Sequence, residues 1–371
     1  MTFGTGRGLT LAGGDRSWSA RHWDVGSGRR VANTACADVR VVGERLAVSW
    51  NDALQPPPLM TGSQARTVSA WGREAQADLA RRKILVVGAG SVGLDVILRL
   101  AASGIQNLTI MDFDLVEERN LDRLIGACRA DVALKRTKAF VARREALRAA
   151  TAAQPTVRIS HASVCEPEGF KTCLDYDLIF CCVDRLWPRA VLNALAYDHL
   201  IPVIDGGIFI GTHSDGRMRS ATWRAHVLRP GRPCVVCSRQ VEMGALQTEM
   251  SGVADDPVYI ANAPTDVGQN VAVLSASVSA LMLAQYVSFS VAPSGLGDPG
   301  PLQYSLGSHN LEVLDVVSRP GCMYEPAEPR GGDCILCGRH DTAERVRARY
   351  DDSLRIRARR WWQGLATAQA G

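Results

Sequence analysis

Residues 111–124 read MDFDLVEERNLDRL, which sets two carboxylates, Asp112 and Asp114, close together and follows them with Asn120 and Arg123. They stand downstream of KILVVGAGSVG, where Gly88, Gly90 and Gly93 form G-x-G-x-x-G between an apolar run and a helical pattern. A turn of this kind lets backbone amides approach a phosphate, and the following helix N-terminus adds partial positive charge. Asp112 falls close to the roughly 20-residue interval at which an acid grips a nucleotide ribose. The glycines and one acid suit NAD, FAD, S-adenosylmethionine and ATP alike, or a turn that only packs a helix on a strand.

The residues that follow favour ATP. An arginine such as Arg123 neutralises charge developing on an α-phosphate under attack by a carboxylate, and Asn120 is of a type to orient that phosphate. In DVALKRTKAF (131–140) a lysine at a helix start is placed to hold the β- and γ-phosphates. Asp184 ends DLIFCCVD (177–184), at the position where open α/β sheets present ligand groups. One carboxylate combined with phosphate oxygens suits Mg²⁺. In this order the residues describe adenylyl transfer.

Of eleven cysteines, four form knuckles: Cys234 and Cys237 in PCVVC, Cys334 and Cys337 in DCILCG. Two C-x-x-C knuckles together make a tetrahedral thiolate site that is closed to substrate and therefore structural, with zinc as the fitting metal. Unpaired core or redox cysteines are the competing explanation. Cys181 and Cys182 lie in an apolar strand pattern and read as core. His199, His213 and His226 are isolated and carry no assignment.

The elements that must position these residues alternate along the chain. ILVVG (84–88), NLTIMD (107–112), TVRISHA (156–162), DLIFCCVD (177–184) and IPVIDGG (201–207) read as strands, with helices over 91–104, 135–150 and 187–199. The expected fold class is α/β, a doubly wound, Rossmann-like, mainly parallel sheet. A further helix is expected over 65–82, after a proline-rich linker at 55–64, and a small β-hairpin over 39–50 around Gly43-Glu44. The apolar segment 266–291 reads as a buried helix, because Asp, Asn, Gln and several Ser interrupt it. The arginine-rich stretch 343–363 reads as a surface helix, its basic face either solvated or a docking element for an acidic partner. The expected units are an N-terminal extension (1–65) with some β-structure, a nucleotide domain with zinc knuckles (66–340) and a basic tail (341–371).

Composition excludes little else. At 371 residues, 46% hydrophobic and 22% charged, the chain is ordinary for a globular protein. A net charge of +4 is too small to argue for nucleic acid as the partner. No signal-peptide core opens the sequence and no membrane span is expected. Clustered thiols without an export signal point to a reducing cytoplasm.

GAGSVG, MDFDLVEERNLDRL, the Lys-Ala helix, DLIFCCVDRLWPRAVLN and IPVIDGG together resemble the ThiF/MoeB/HesA superfamily, which includes the adenylation domains of ubiquitin-activating enzymes. AWGREAQADLARR resembles the helix that introduces that domain, and the likeness covers about residues 66–340. It implies that ATP–Mg²⁺ adenylates the C-terminal glycine of a ubiquitin-like protein or peptide and releases pyrophosphate. Asp112 would hold the ribose, Asn120 and Arg123 the phosphates, and Asp184 the magnesium. The family lysine falls on Lys138 if two residues are inserted, on Arg136 without a gap, and Lys135 is close. The four knuckle cysteines would hold structural zinc. Leu124 stands where members often have Gln, and Arg185 where they usually have Asn, which marks a divergent branch.

The resemblance also implies a homodimer, in which Arg66 or Arg73 would cross to the partner's ATP. Onward partners would be a conjugating enzyme or a sulfurtransferase. Members that form a thioester carry a cysteine in a crossover loop, yet residues 240–268 contain none. Cys322, in RPGCMYE, is then either a bystander beside zinc or a displaced nucleophile. Residues 1–65 are expected to recognise the protein substrate or to act as a stabilising hairpin. A nicotinamide or flavin oxidoreductase would leave Asn120, Arg123, Asp184 and the four thiolates without work. A peptide-modifying adenylating enzyme would use the same nucleotide residues on a different carboxylate. An inactive, non-enzymatic partner would be expected to lack Arg123 or Asp184, and this chain has both.

Overall fold

The computed structural model describes residues 2–3, 7–14, 17–25, 31–251 and 269–325. Cys334, Cys337 and the basic stretch 343–363 lie outside these residues.

At the centre is a sheet in which Lys83–Val87 (β7) is buried on both faces. Ile84 and Val86 enter one apolar core, and Leu85 and Val87 enter another. A strand covered on both sides reads as an unbroken apolar run, as KILVV does. Asn107–Met111 (β8) and Thr156–Ser160 (β9) extend the sheet in parallel on one side, and Leu178–Cys181 (β10) and Val203–Thr212 (β11) on the other. Met218–Leu228 (β12), Leu302–Ser305 (β13) and Asn310–Val313 (β14) then continue it antiparallel. The complete order is β14-β13-β12-β11-β10-β7-β8-β9. The mainly parallel, doubly wound sheet expected from the sequence is present, with an antiparallel flank that the sequence had not announced.

Nine described α-helices surround it. Ala65–Trp71 (α1) and Arg73–Arg81 (α2) occupy the stretch expected as one helix and are separated at Gly72. Ser91–Ala102 (α3), Arg129–Ala133 (α4) and Lys138–Ala149 (α5) follow, then Pro167–Cys173 (α6), Leu186–Asp198 (α7), Met243–Met250 (α8) and Ala272–Val291 (α9). Helices α3, α5 and α9 pack on one core, while α6, α7 and α8 cover the other. Helix α9 is long and apolar enough to cross a membrane by length and composition alone. It lies here against α3 and strands β11 and β12, with Met282 and Phe289 fully buried.

The N-terminal region is more β-rich than its sequence suggests. Thr2–Phe3 (β1), Arg7–Gly13 (β2), Trp18–Val25 (β3) and Val31–Ala35 (β4) form an antiparallel sheet. The expected hairpin is Asp38–Val42 (β5) with Leu46–Trp50 (β6). It belongs to the main body: Leu46 is buried in the central core, and Arg82, fully buried on α2's C-terminal flank, donates to the Leu46 carbonyl oxygen at 3.2 Å. Arg40 adds an ion pair to the buried Asp177 at 2.9 Å.

Candidate functional site

Strand register decides where the site lies. Val87 is level with Met111 on one neighbour and with Cys181 on the other. The chain therefore leaves the sheet at Gly88, at Asp112 and at Cys182–Asp184 on one level, above the carboxyl ends of the strands. Between β7 and β10 the strand order reverses, which is where doubly wound sheets open a ligand crevice. A cleft of about 600 Å³ sits there, lined by Gly88, Gly90, Asp112, Asp114, Asn120, Arg123, Lys138 and Asp184 among others.

The glycine turn has distinct tasks at each position. Gly88 has φ +92°, and a Cβ on it would meet the Cys182 carbonyl oxygen at 2.6 Å. Gly90 caps α3 and faces open space. Gly93 does not line the cleft; a Cβ there would lie 1.9 Å from the Gly88 carbonyl oxygen, so its part is to let α3 seat under the turn. Asp112 fixes the turn from the next strand, its Oδ2 accepting the Ala89 amide at 2.7 Å and its Oδ1 the Asp114 amide at 2.8 Å. Burial, reinforced by the neighbouring Asp114 charge, pushes the Asp112 carboxyl up to about 6. Lys138 and the two amides oppose that rise without cancelling it.

Of the three basic residues open to the phosphate-holding role, the structure brings Lys138 to the cleft. It begins α5, where Thr137 caps the helix by accepting the Phe140 amide at 3.2 Å. Its Nζ lies 2.8 Å from Asp114 Oδ2. Burial works to lower the Lys138 pKa, but Asp112, Asp114 and Asp184 outweigh it and hold the ammonium above its ordinary value. Arg136 instead pairs with the buried Asp131 at 2.8 Å, and Lys135 is exposed in a left-handed turn of φ +48°. Asn120 is held by a short 3-10 turn, with Oδ1 accepting the Glu117 amide at 3.0 Å. Arg123 Nη1 donates to the Arg119 carbonyl oxygen at 2.6 Å and to Asp122 Oδ1 at 2.8 Å, and the residue lines the cleft beside Asn120.

The sequence reading missed several lining residues. Arg189, on α7, bonds the fully buried Asp205 and donates to the Val183 carbonyl oxygen at 2.7 Å. Arg224 holds the other Asp205 oxygen at 2.7 Å. Burial alone would raise Asp205, but the two arginines hold its carboxyl below the usual range. Across the cleft, Ser91 at the start of α3 accepts from Asn270 Nδ2 at 2.9 Å and meets Ser275 at 2.8 Å. A basic residue shortly after Asp184 was a visible signal for Arg189, while nothing local tied residue 270 to residue 91.

Arg66 and Arg73 are exposed and do not line the cleft of their own chain. Nor does Cys322. It lies with Cys234, Cys237 and Glu325 in a cluster whose ligand atoms are all within 4.8 Å of one another. Cys182 lines the cleft, but burial, aided by the nearby Asp205 charge, pushes its thiol well above the ordinary range and leaves a poor nucleophile. His226 is fully buried beside Gln240, and burial lowers it to about 4, so it stays neutral. The soft cysteine donors suit zinc, and the carboxylate of Asp184, facing a nucleotide-sized crevice, suits a hard cation.

A strand–turn–helix phosphate cradle, an acid on the next strand and a lysine answering three carboxylates define a doubly wound nucleotide-binding domain. The chain belongs to the ThiF family, whose sequence model matches residues 62–318. It is similar to a molybdopterin-synthase adenylyltransferase of Escherichia coli (strain K12), 30% identical over 185 residues, or 49% of this chain and 68% of the relative. A SAMP-activating enzyme E1 of Haloferax volcanii is 28% identical over 167 residues, 45% of this chain and 56% of that protein. A probable adenylyltransferase/sulfurtransferase MoeZ of Mycobacterium tuberculosis is 34% identical over 143 residues, 37% of this chain and 34% of that one. The chain thus spans 56% of the second of these curated relatives and 34% of the third. Among solved structures, E. coli MccB with ATP superposes at a TM-score of 0.55 over 71% of this chain and 74% of that chain, with 18% identity. That likeness speaks for the fold.

Proposed function

We propose that this chain is an ATP-dependent adenylyltransferase that activates the C-terminal glycine carboxylate of a ubiquitin-like protein or peptide. The observation that carries the reading is the convergence of Asp112, Asn120, Arg123, Lys138 and Asp184, from separate segments, on one crevice at the strand-order reversal. A lysine, an arginine and a further acid at one crevice answer the charge of a triphosphate and its magnesium.

In this reading Asp112 accepts from the ribose hydroxyls, and the turn amides with the α3 N-terminus face the phosphates. Lys138 neutralises the β- and γ-phosphates, and Arg123 with Asn120 neutralises charge growing on the α-phosphate. A substrate carboxylate oxygen attacks the α-phosphorus, the bond to the β-phosphate breaks, and pyrophosphate leaves. Asp184 is the residue that would hold Mg²⁺, which when bound offsets triphosphate charge. Zinc, held at Cys234 and Cys237 with further ligands, would pin the C-terminal segment. A homodimer belongs to the same reading, since Arg66 and Arg73 could meet a nucleotide only in a second copy's cleft.

ATP–pyrophosphate exchange, run against a panel of glycine-ended ubiquitin-like proteins and peptides, tests the proposal. Exchange that requires such a partner, and falls by at least about a hundredfold in both Asp184→Ala and Arg123→Ala, supports it. Tight NAD binding without exchange for any partner would sink it. The member of the panel that responds decides between the protein and peptide substrate.

A further inference from the structure

We propose that Ser91 and Asn270 bind the nucleotide's phosphates through their side chains, so that the start of α9 completes the cradle begun by the glycine turn. This rests on the nucleotide reading above and adds to it a donor from 179 positions along the chain.

Ser91 is the first residue of α3, directly after Gly90, and the first intrahelical bond runs from the Leu94 amide to the Gly90 carbonyl oxygen at 2.8 Å. The amides of the first turn therefore lack partners within the helix, which is what draws an anion to this end. Asn270 stands just before Val271, the residue that caps α9. Ser91 and Asn270 both line the cleft, while Ser275, in the first turn of α9, is buried behind them.

The three side chains close a ring. Asn270 Nδ2 donates to Ser91 Oγ at 2.9 Å, Ser275 Oγ donates to Asn270 Oδ1 at 2.8 Å, and the two hydroxyl oxygens lie 2.8 Å apart. A serine hydroxyl has one proton and an asparagine amide has two. With the Ser275 proton on Asn270 Oδ1, the contact between the hydroxyls uses the Ser91 proton. The second amide proton of Asn270 then has no partner among the described residues. A phosphate oxygen in the cleft can accept that proton, and the Ser91 proton can turn to it without breaking the two bonds made by Asn270. Both would be neutral donors to a charged acceptor, which strengthens the bond.

Burial of Ser275 does not by itself require this arrangement. A helical serine can return its hydroxyl to its own helix, as Ser277 does to the Val273 carbonyl oxygen at 3.2 Å. Ser275 instead reaches out of α9 and fixes the carbonyl end of the Asn270 amide, which leaves the NH₂ end directed at Ser91 in the cleft wall. Lys138 and Arg123 supply charge from other segments; this pair supplies direction.

Titration of the full-length protein with ATP–Mg²⁺ and, separately, with adenosine tests the proposal. Asn270→Ala and Ser91→Ala should each weaken ATP by at least about tenfold, the worth of a hydrogen bond to a charged group. Ser91→Thr, which keeps the hydroxyl, should stay within about threefold of wild type, and adenosine affinity should not change in any variant. ATP affinity unaltered in Asn270→Ala, or equal losses for ATP and adenosine, would overturn the proposal and leave the ring a joint between α3 and α9. Wild type that binds no ATP overturns it together with the function proposed above. The expected pattern in a protein that exchanges pyrophosphate with no partner would uphold this assignment and sink only the adenylation reading.

Discussion

Lys138 and Asp114 are joined twice: Nζ to Oδ2 at 2.8 Å, and the lysine's backbone amide to the aspartate's carbonyl oxygen, also at 2.8 Å. The start of α5 is thereby tied to the segment that follows β8, so the lysine cannot drift from the cleft while the helix holds. The second carboxylate of MDFD stations the Lys138 ammonium at the cleft, a purpose an ordinary ribose grip does not need.

Replacing Lys138 by Ala should therefore lower exchange by about 10²–10³-fold, as removal of a charge-stabilising group does. Lys135→Ala should stay within about twofold, since that side chain is exposed and outside the cleft. Steady-state exchange at saturating ATP compares the two. Equal losses would move the role off Lys138.

Gly90→Ala separates a phosphate cradle from a mere packing turn. Gly90 has φ −71°, and a Cβ there meets nothing within 4 Å, so stability should change by no more than about 0.5 kcal/mol. The same methyl would stand where a phosphate must approach the backbone. Nucleotide affinity should fall at least tenfold with the melting temperature unchanged. Unaltered affinity would make the turn structural only.

Asp112 predicts a pH signature. Its pKa in the fold is raised to about 6 from an ordinary 3.8, so between those values the folded state holds a proton that the unfolded chain has lost. Stability from this group is complete below the lower value and declines as pH rises through about 6. Asp112→Asn removes that decline. The variant's stability relative to wild type should improve by roughly 2–3 kcal/mol between pH 4 and pH 7. Urea melts of both proteins across that range, without nucleotide, measure it, and parallel curves would refute the buried-acid account.

Legibility in the sequence followed burial. Strands covered on both faces, such as KILVV and LIFC, announce themselves as apolar runs, and the glycine turn and strand-end acids could be placed from them. The flank β12–β14 could not: MRSATWRAHVL mixes polar and apolar residues because its outer end is exposed. The sheet β2–β4 was hidden for the same reason, with Leu9, Leu11 and Trp18 about half exposed. Choosing Lys138 over Arg136 and Lys135 required the fold, because only the fold pairs Arg136 with Asp131. Cys322 was visible as an unpaired thiol, but its place beside Cys234 depends on a contact far apart in the chain.

That exposed N-terminal sheet and the hairpin beside it should behave differently when removed. Hairpin residues are built into the main domain through Leu46, the Arg40–Asp177 pair and Trp50 Nε1, which donates to Asp78 at 2.6 Å. Deleting residues 1–52 removes a buried leucine and these pairings, and should cost more than about 3 kcal/mol. Deleting residues 1–36 leaves the hairpin intact and should cost about 1 kcal/mol or less. If the outer sheet recognises the protein substrate, the shorter deletion should keep kcat for exchange and raise KM for the carboxylate partner at least tenfold. An unchanged KM would remove substrate recognition from residues 1–36 and leave them a stabilising appendage.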